Sequence, residues 1–294
     1  MLSILIPTYH YNVYPLAMQL EQQALVTGIN YEIICLDDGS FSHFNTENQK
    51  INTLANCKFI EAKKNKGRTA TRQKLAEIAQ YQWLLFLDAD TLPTHSEFIK
   101  NILTEINSDI DIIFGGIVYE TTKPNKDKLL RWHYGKARES KSVFERQKAP
   151  YTSIISGSFV IKKDLFIKVN QLLLQNAYGL DILFTAHLKG LNVKVKHINN
   201  TVYHLGLETN EDYLKKTKKA LDTLYQLKKS KAIRSNATKL LKTHSVLKTL
   251  GLASVFGKLI KNKTHKIEHH LMSSSPSLFL FDLYRLGYFC SLKF

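Results

Sequence analysis

A chain of 294 residues with 44% hydrophobic content can bury a sizeable core, enough for one large domain or one domain with an appendage. Three scattered cysteines (Cys35, Cys57, Cys290) exclude a disulfide framework and a cysteine metal site, and fit small buried hydrophobes in a reducing compartment. The net charge of +16 is uneven: residues 211–294 hold 17 basic and 5 acidic side chains, so a near-neutral body carries a strongly basic tail.

The start MLSILIPTYH lacks a basic region and its apolar run is too short for a signal peptide. LSILIP (2–7) predicts a buried strand and 13–26 a helix. YEIICL (31–36) predicts a second strand, ending at Asp37-Asp38-Gly39-Ser40, and CKFIEA (57–62) a third. GRTATRQKLAEIAQ (67–80) has Leu75, Ile78 and Ala79 on one side, as in a helix. WLLFL (83–87) is a fourth strand, followed by a helix over 96–106. Apolar strands each followed by a helix argue for a parallel sheet covered on both faces. Downstream, 110–119 and 153–163 predict strands, 128–140 a helix, 180–190 a helix closed by Gly190, and 193–198 a strand. From Glu211 the pattern is helical and basic, with Leu214, Leu221, Leu224 and Tyr225 as a stripe among lysines. No window holds 18 uncharged apolar residues; the best, near the end, is interrupted by Asp282 and Arg285, so no membrane span is expected.

Ligands of open parallel sheets gather beyond the carboxyl ends of the strands. Here those ends are Pro7-Thr8-Tyr9, Asp37-Asp38-Gly39-Ser40 and Asp88-Ala89-Asp90. Residues at i and i+2 leave a strand on the same side, so Asp88 and Asp90 can converge on a divalent cation. Mg²⁺ or Mn²⁺ is typically held by one or two carboxylates plus substrate phosphate. A polar strand end with a turn at Asp90 is the plainer alternative. Asp38 could accept hydrogen bonds from a base or ribose, although Asp-Gly is also ordinary turn chemistry. Gly67 starts a helix whose first amides favour anions, and Arg68 and Arg72 share a face at i, i+4, which suits a diphosphate or a solvated basic surface. Neither GxGxxG nor a P-loop follows any strand.

The order PTYH, DDGS, NKGRTATRQ, LLFLDAD over residues 1–92 resembles the nucleotide-binding half of the family 2 glycosyltransferases, which have the GT-A fold. GSFVIKKDLF and TVYHLGLE resemble later segments of that family. The resemblance implies an α/β catalytic domain over 1–210, with a mostly parallel central sheet flanked by helices; residues 211–294 match the family only vaguely, and their charge and periodicity predict a basic helical C-terminal extension. The resemblance implies that Pro7, Thr8 and Tyr9 line a nucleotide pocket, that Asp38 contacts the base, and that Arg72 sits where the family often places a basic residue, which puts Arg72 ahead of Arg68 for the base or diphosphate contact. It places Asp88 near ribose or metal, Asp90 on a Mn²⁺ or Mg²⁺ ion bridging the diphosphate, and His204 as a further metal ligand. The family commonly opens a late helix with a Glu-Asp pair that provides the base; YGLDILF has a single acid, Asp181, which takes that role or is a helix cap.

The implied activity is metal-dependent transfer of a sugar, with inversion, from a nucleotide-diphosphate sugar to a saccharide or lipid-linked acceptor, in cell-surface polysaccharide or glycolipid synthesis. A nucleotidyltransferase on a similar sheet is the alternative enzyme, disfavoured by the lack of a Gly-rich loop after Ile6. A non-catalytic basic binding module retaining the fold is the other alternative. Arg131, Trp132, His133 and Tyr134 either border the acceptor or simply pack, and His265, His269 and His270 read as solvated. The tail's Leu240, Leu241, Leu247, Leu250, Val255, Phe256, Leu259 and Ile260 recur at helical spacings between lysines. An anionic membrane surface and packing on the body stand side by side as explanations. Nucleic acid is not expected, because stacking aromatics are absent. The expected location is the cytoplasm, peripheral membrane attachment at the inner face being the alternative to a free protein.

Overall fold

Leu2, Ile4, Leu5 and Ile6 are fully buried, and a run with no polar face belongs at the centre of a covered sheet. In the computed structural model, which describes residues 1–173 and 177–292, β1 (Leu2–Thr8) lies there. It pairs in parallel with β2 (Tyr31–Asp37) on one side and β4 (Trp83–Leu87) on the other. Outside β2 runs β3 (Cys57–Glu61), again parallel. The sheet continues with β8 (Ser158–Lys162), antiparallel to both β4 and β6 (Ile112–Phe114), and closes with β9 (Val195–His197) parallel to β6. The strand order is β3-β2-β1-β4-β8-β6-β9. The mostly parallel sheet expected from the apolar runs is present, with β8 as the reversed strand. A small second sheet orders β5 (Thr91–Pro93), β10 (Val202–His204) and β7 (Ile117–Val118).

The helices of this first unit are α1 (Tyr14–Leu25), α2 (Phe44–Asn48), α3 (Arg68–Ile78), α4 (Phe98–Glu105), α6 (Val143–Gln147) and α7 (Lys163–Asn170). The unit comprises Met1–Glu120, the described residues of Glu139–Asn176, and His187–Gly206. The segment 110–119 is two strands rather than the single one expected. Gly115 and Gly116 break it: a Cβ on Gly115 would lie 2.0 Å from the Asn200 carbonyl oxygen, and Gly116 has φ +98°. The chain therefore changes sheet between β6 and β7. The strand expected over 153–163 is confined to β8, because residues 151–153 form a turn. Arg146, 1% exposed, ties these pieces together. Its guanidinium donates to the carbonyls of Lys141, Phe114, Gly115 and Ile198 and contacts His197 Nδ1 at 3.4 Å.

The second unit comprises Thr121–Arg138, Ala177–Ala186 and the described residues of Leu207–Phe294. The helix expected over 128–140 is α5 (Leu129–Tyr134) followed by a π-helical turn over Gly135–Glu139. α8 (Asp181–Gly190) is divided between the units after Ala186. The tail forms α9 (Asn210–Lys229), α10 (Lys239–Thr249), α11 (Ala253–Leu271) and α12 (Leu278–Ser291). Leu130, Tyr213, Leu214, Ile260, Ile267, Leu271, Phe281 and Tyr284 make its core. Tyr134 packs on that core, Trp132 is buried, and Arg131 pairs with Glu208 at 3.4 Å. α11 and α12 meet at Gly257 and Gly287; a Cβ on Gly287 would lie 2.4 Å from Ile260 Cβ. Of the tail's expected apolar stripe, Leu241 and Ile260 are buried while Leu250, Val255 and Leu259 are exposed. Among the described residues no helix is long and apolar enough to cross a membrane.

Candidate active site

The carboxyl ends of β1, β2 and β4 lie along one edge of the parallel sheet, as their registers require. Thr8 is buried there, and its carbonyl accepts the Asp38 amide at 3.0 Å. Tyr9 is 51% exposed, with its ring edge-on to His10 at 4.4 Å. Asp38 is 6% exposed, and its carboxylate accepts from the amides of Lys66 (2.9 Å) and Gly67 (2.7 Å). It thereby fixes the loop that launches α3, and the adjacent turn approaches that loop closely. A Cβ on Gly39, which has φ +68°, would meet Lys64 carbon at 2.7 Å. The Asp-Gly turn and the basic helix start are thus one construction.

Asp88 ends β4 with both oxygens engaged by guanidinium. Arg68 donates to Oδ2 at 2.5 Å and Arg72 to Oδ1 at 2.6 Å. The same Arg72 nitrogen donates to the Ser156 carbonyl at 2.6 Å, and Arg68 donates to the Ser156 hydroxyl at 3.0 Å. The i, i+4 spacing on α3 aims both arginines at one acid, as the helix geometry predicts. Burial by itself would raise the Asp88 pKa; Arg68 and Arg72, helped by His204, outweigh it and hold the carboxyl below its ordinary value.

Asp90 stands apart from that clamp. Its Oδ2 lies 3.7 Å from His204 Nε2, too far for a hydrogen bond. The Leu205 amide donates to the Asp90 carbonyl at 2.8 Å, which fixes the β10 end against this turn. Gly206 leaves the space that the carboxylate occupies: a Cβ there would sit 1.8 Å from Asp90 Oδ2. Burial raises the Asp90 pKa and the Asp88 charge adds to it, against the pull of His204 and Arg68. The His204 ring packs beside Tyr119 at 5.5 Å, and its Nδ1 is buried without a hydrogen-bond partner among the described residues. Two acids at i, i+2 therefore have different surroundings: Asp88 is neutralised by arginines, and Asp90 faces an imidazole.

Among the described residues no three His, Cys, Asp or Glu side chains gather as a ligand set. A cation at Asp90 and His204 would complete its shell with water and substrate phosphate, the way Mg²⁺ and Mn²⁺ are commonly bound. An oxygen and a nitrogen donor 3.7 Å apart, with the carboxylate seated where Gly206 has no side chain, fit that arrangement. Asp181 belongs to the second unit, where it is the exposed first residue of α8. Gly179 before it has φ +93°, and a Cβ there would lie 3.2 Å from Ala220. Of the three late histidines, His265 and His269 are exposed and His270 is half-buried.

Sequence reasoning did not find Ser156, whose contribution to the Arg72 contact is a backbone carbonyl and leaves no side-chain signal. It also passed over Gly206, visible only as a glycine two residues after His204.

The model of the family described as glycosyl transferase family 2 matches residues 3–169. An uncharacterised glycosyltransferase of Methanocaldococcus jannaschii is 26% identical over 173 residues, covering 58% of this chain and 58% of the relative. The chain therefore aligns with under two thirds of the length of that curated relative. Among solved structures, a mannosyltransferase of Pyrobaculum calidifontis in complex with GDP-Man and Mn²⁺ has a TM-score of 0.56 at 10% identity, covering 97% of this chain and 85% of that one. Glucosyl-3-phosphoglycerate synthase of Mycobacterium tuberculosis, in complex with Mn²⁺, UDP and glucosyl-3-phosphoglycerate, has a TM-score of 0.49 at 13% identity over 77% of this chain and 79% of that one. The likeness to the mannosyltransferase is one of fold, and the mostly parallel sheet flanked by helices is of the GT-A type. With more than half of its length matched by the family model, the chain belongs to glycosyl transferase family 2.

Proposed function

We propose that this protein is a divalent-metal-dependent glycosyltransferase that moves a sugar from a nucleotide-diphosphate sugar to the hydroxyl of a saccharide or lipid-linked acceptor. The observation that carries the reading is the Asp90–His204 pair, held over Gly206 at the ligand edge of the sheet beside an arginine-clamped Asp88. Asp90 and His204 hold Mn²⁺ or Mg²⁺, which when bound offsets the charge that builds on a departing diphosphate. Pro7, Thr8, Tyr9 and the Asp38 turn line the nucleotide pocket. Arg68 and Arg72 keep Asp88 ionised and oriented, and Arg68 is the more exposed of the two.

Asp181 takes the proton from the acceptor hydroxyl. The oxygen then attacks the anomeric carbon from the face opposite the diphosphate, the bond from that carbon to the diphosphate oxygen breaks, and the configuration inverts. Support for Asp181 is its place as the single exposed acid opening α8. Residues 1–210 are the catalytic domain in this reading, and 211–294 a basic helical region.

A panel of UDP- and GDP-sugars tested by thermal shift with and without Mn²⁺, followed by product release assays, checks the reading. A donor whose stabilisation needs the metal, and whose turnover is lost in Asp181→Asn, is the expected result. Metal-independent stabilisation by every donor would contradict it.

A further inference from the structure

Between Asp222 and Glu268 the chain holds ten lysines, one arginine and no acidic residue. α10 and α11 as far as Ile267 lie in this stretch, joined by a tight turn at Leu250-Gly251-Leu252 in which Gly251 has φ +72°. α11 already spends one face on the core, with Gly257, Ile260, Ile267 and Leu271 buried. A lone amphipathic helix would then present polar residues elsewhere. Instead Val246, Leu250, Leu252, Val255 and Leu259, all near the turn, are each 49–64% exposed. Val246 and Leu250 are one turn apart, as are Val255 and Leu259, so the two helices carry a second, unburied apolar patch to the end of the hairpin. Lys242, Lys258, Lys261 and Lys266 are exposed on the same helices.

Two features coincide here: aliphatic side chains that gain only by leaving water, and a positive field in which the hairpin's one acid, Glu268, sits at the far end of α11 and is paired with Lys218. Nucleic acid would use the lysines but leave the aliphatics wet. A second copy of the hairpin would cover the aliphatics but bring like charges together. A membrane with acidic headgroups satisfies both, since hydrocarbon takes the aliphatic tip and lipid phosphates face the lysines. Neither helix is long and apolar enough to cross a bilayer, so the contact is in the plane of the interface.

We propose that the α10–α11 hairpin docks on an anionic lipid bilayer, with Leu250, Leu252, Val255 and Leu259 entering the acyl boundary and the lysines lying against the headgroups. This deepens the proposed function by giving the enzyme access to a lipid-linked acceptor, and only that consequence rests on it. Docking itself is measured without donor or metal.

The test floats the full chain with vesicles of phosphatidylcholine alone and of phosphatidylcholine mixed with phosphatidylglycerol, at low and high salt. The expected result is binding to the mixed vesicles only, weakened by salt. A Leu250→Ser, Val255→Ser pair should lower the affinity about tenfold, and Lys258→Gln with Lys266→Gln should do the same at low salt. Circular dichroism and metal-dependent donor stabilisation should stay as in the unaltered protein. Failure of donor binding with vesicle binding intact would sink the glycosyltransferase reading and leave docking standing. No flotation, equal flotation with neutral vesicles, or full binding by both variants would overturn docking. So would tighter binding to duplex DNA than to the mixed vesicles, or a dimer in solution that the serine pair converts to monomer.

Discussion

A Cβ on Gly206 would lie 1.8 Å from Oδ2 of Asp90, so the carboxylate occupies the volume that any other residue at 206 would fill. The clash extends from Oδ2 to Cγ at 2.6 Å and Cβ at 2.8 Å, so turning the carboxylate aside does not relieve it fully. Gly206→Ala is therefore expected to cost about 1–2 kcal/mol of stability, by displacing Asp90 together with its turn. Its effect on catalysis should be larger, about a hundredfold in kcat/KM, because misplacing a positioning group by an ångström is enough. Urea unfolding and donor turnover on the same preparation separate the two.

Arg68 and Arg72 hold the same acid but are not equivalent. The Arg72 side chain is 7% exposed and donates to both Asp88 and the Ser156 carbonyl, whereas Arg68 is 44% exposed. Arg72→Met leaves a carboxylate and a carbonyl facing an apolar stem, and should destabilise the first unit by about 3–5 kcal/mol. Arg68→Met should cost no more than about 1 kcal/mol, since water screens an exposed pair. Denaturant midpoints of the two variants should differ accordingly; equal midpoints would contradict the assignment of the clamp to Arg72.

The parallel half of the fold was legible because its strands are apolar throughout: LSILIP, YEIICL and WLLFL have no face to give to solvent. Residues 110–119 show what periodicity cannot carry. IDIIFGGIVY reads as one strand, yet the contact of Gly115 with the Asn200 carbonyl, made across the fold, splits it between two sheets. β5 and β10 have three residues each, too short for a repeat to register. At the site, Asp88 and Asp90 were legible as a pair by their i, i+2 spacing. Their different surroundings were not, since these depend on Arg68 and Arg72 from α3 and His204 from β10. Asp38 was legible as a strand-end acid, while its hold on the Lys66 and Gly67 amides follows from a turn closing over Gly39.

In the second unit, α11 and α12 approach closely enough that a Cβ on Gly287 would lie 2.4 Å from Ile260 Cβ. The neighbour here is a buried branched side chain on a helix, which has little room to yield. Gly287→Ala should lower stability by about 1–3 kcal/mol despite the better helix propensity of alanine. Ile260→Gly, which removes the Cβ that the new methyl would meet, should show a favourable coupling with Gly287→Ala in a double-mutant cycle.

His244 links the same unit to pH. Burial, with Lys228 and Lys248 nearby, pushes its pKa down to about 4, and Lys228 Nζ lies 2.9 Å from its Nδ1. The folded state therefore favours the neutral ring while the unfolded chain binds the proton first. Its stability contribution is complete above the ordinary value of 6.5 and is lost as pH falls from there toward about 4. The loss amounts to roughly 2–3 kcal/mol at the lower end. Urea midpoints between pH 7 and pH 4.5 should fall for the unaltered protein and fall less for His244→Gln.

In the proposed function Asp90 and His204 would together hold a divalent cation beside the donor's diphosphate. Calorimetric titration of UDP and of GDP, each with and without Mn²⁺, into the unaltered protein and into Asp90→Asn and His204→Gln tests it most directly. Mn²⁺ is expected to tighten binding of at least one nucleotide by about tenfold or more, and both substitutions to remove the metal's effect while leaving the weak metal-free binding in place. Nucleotide affinity that is the same with and without Mn²⁺, or a metal effect that survives Asp90→Asn, would contradict it.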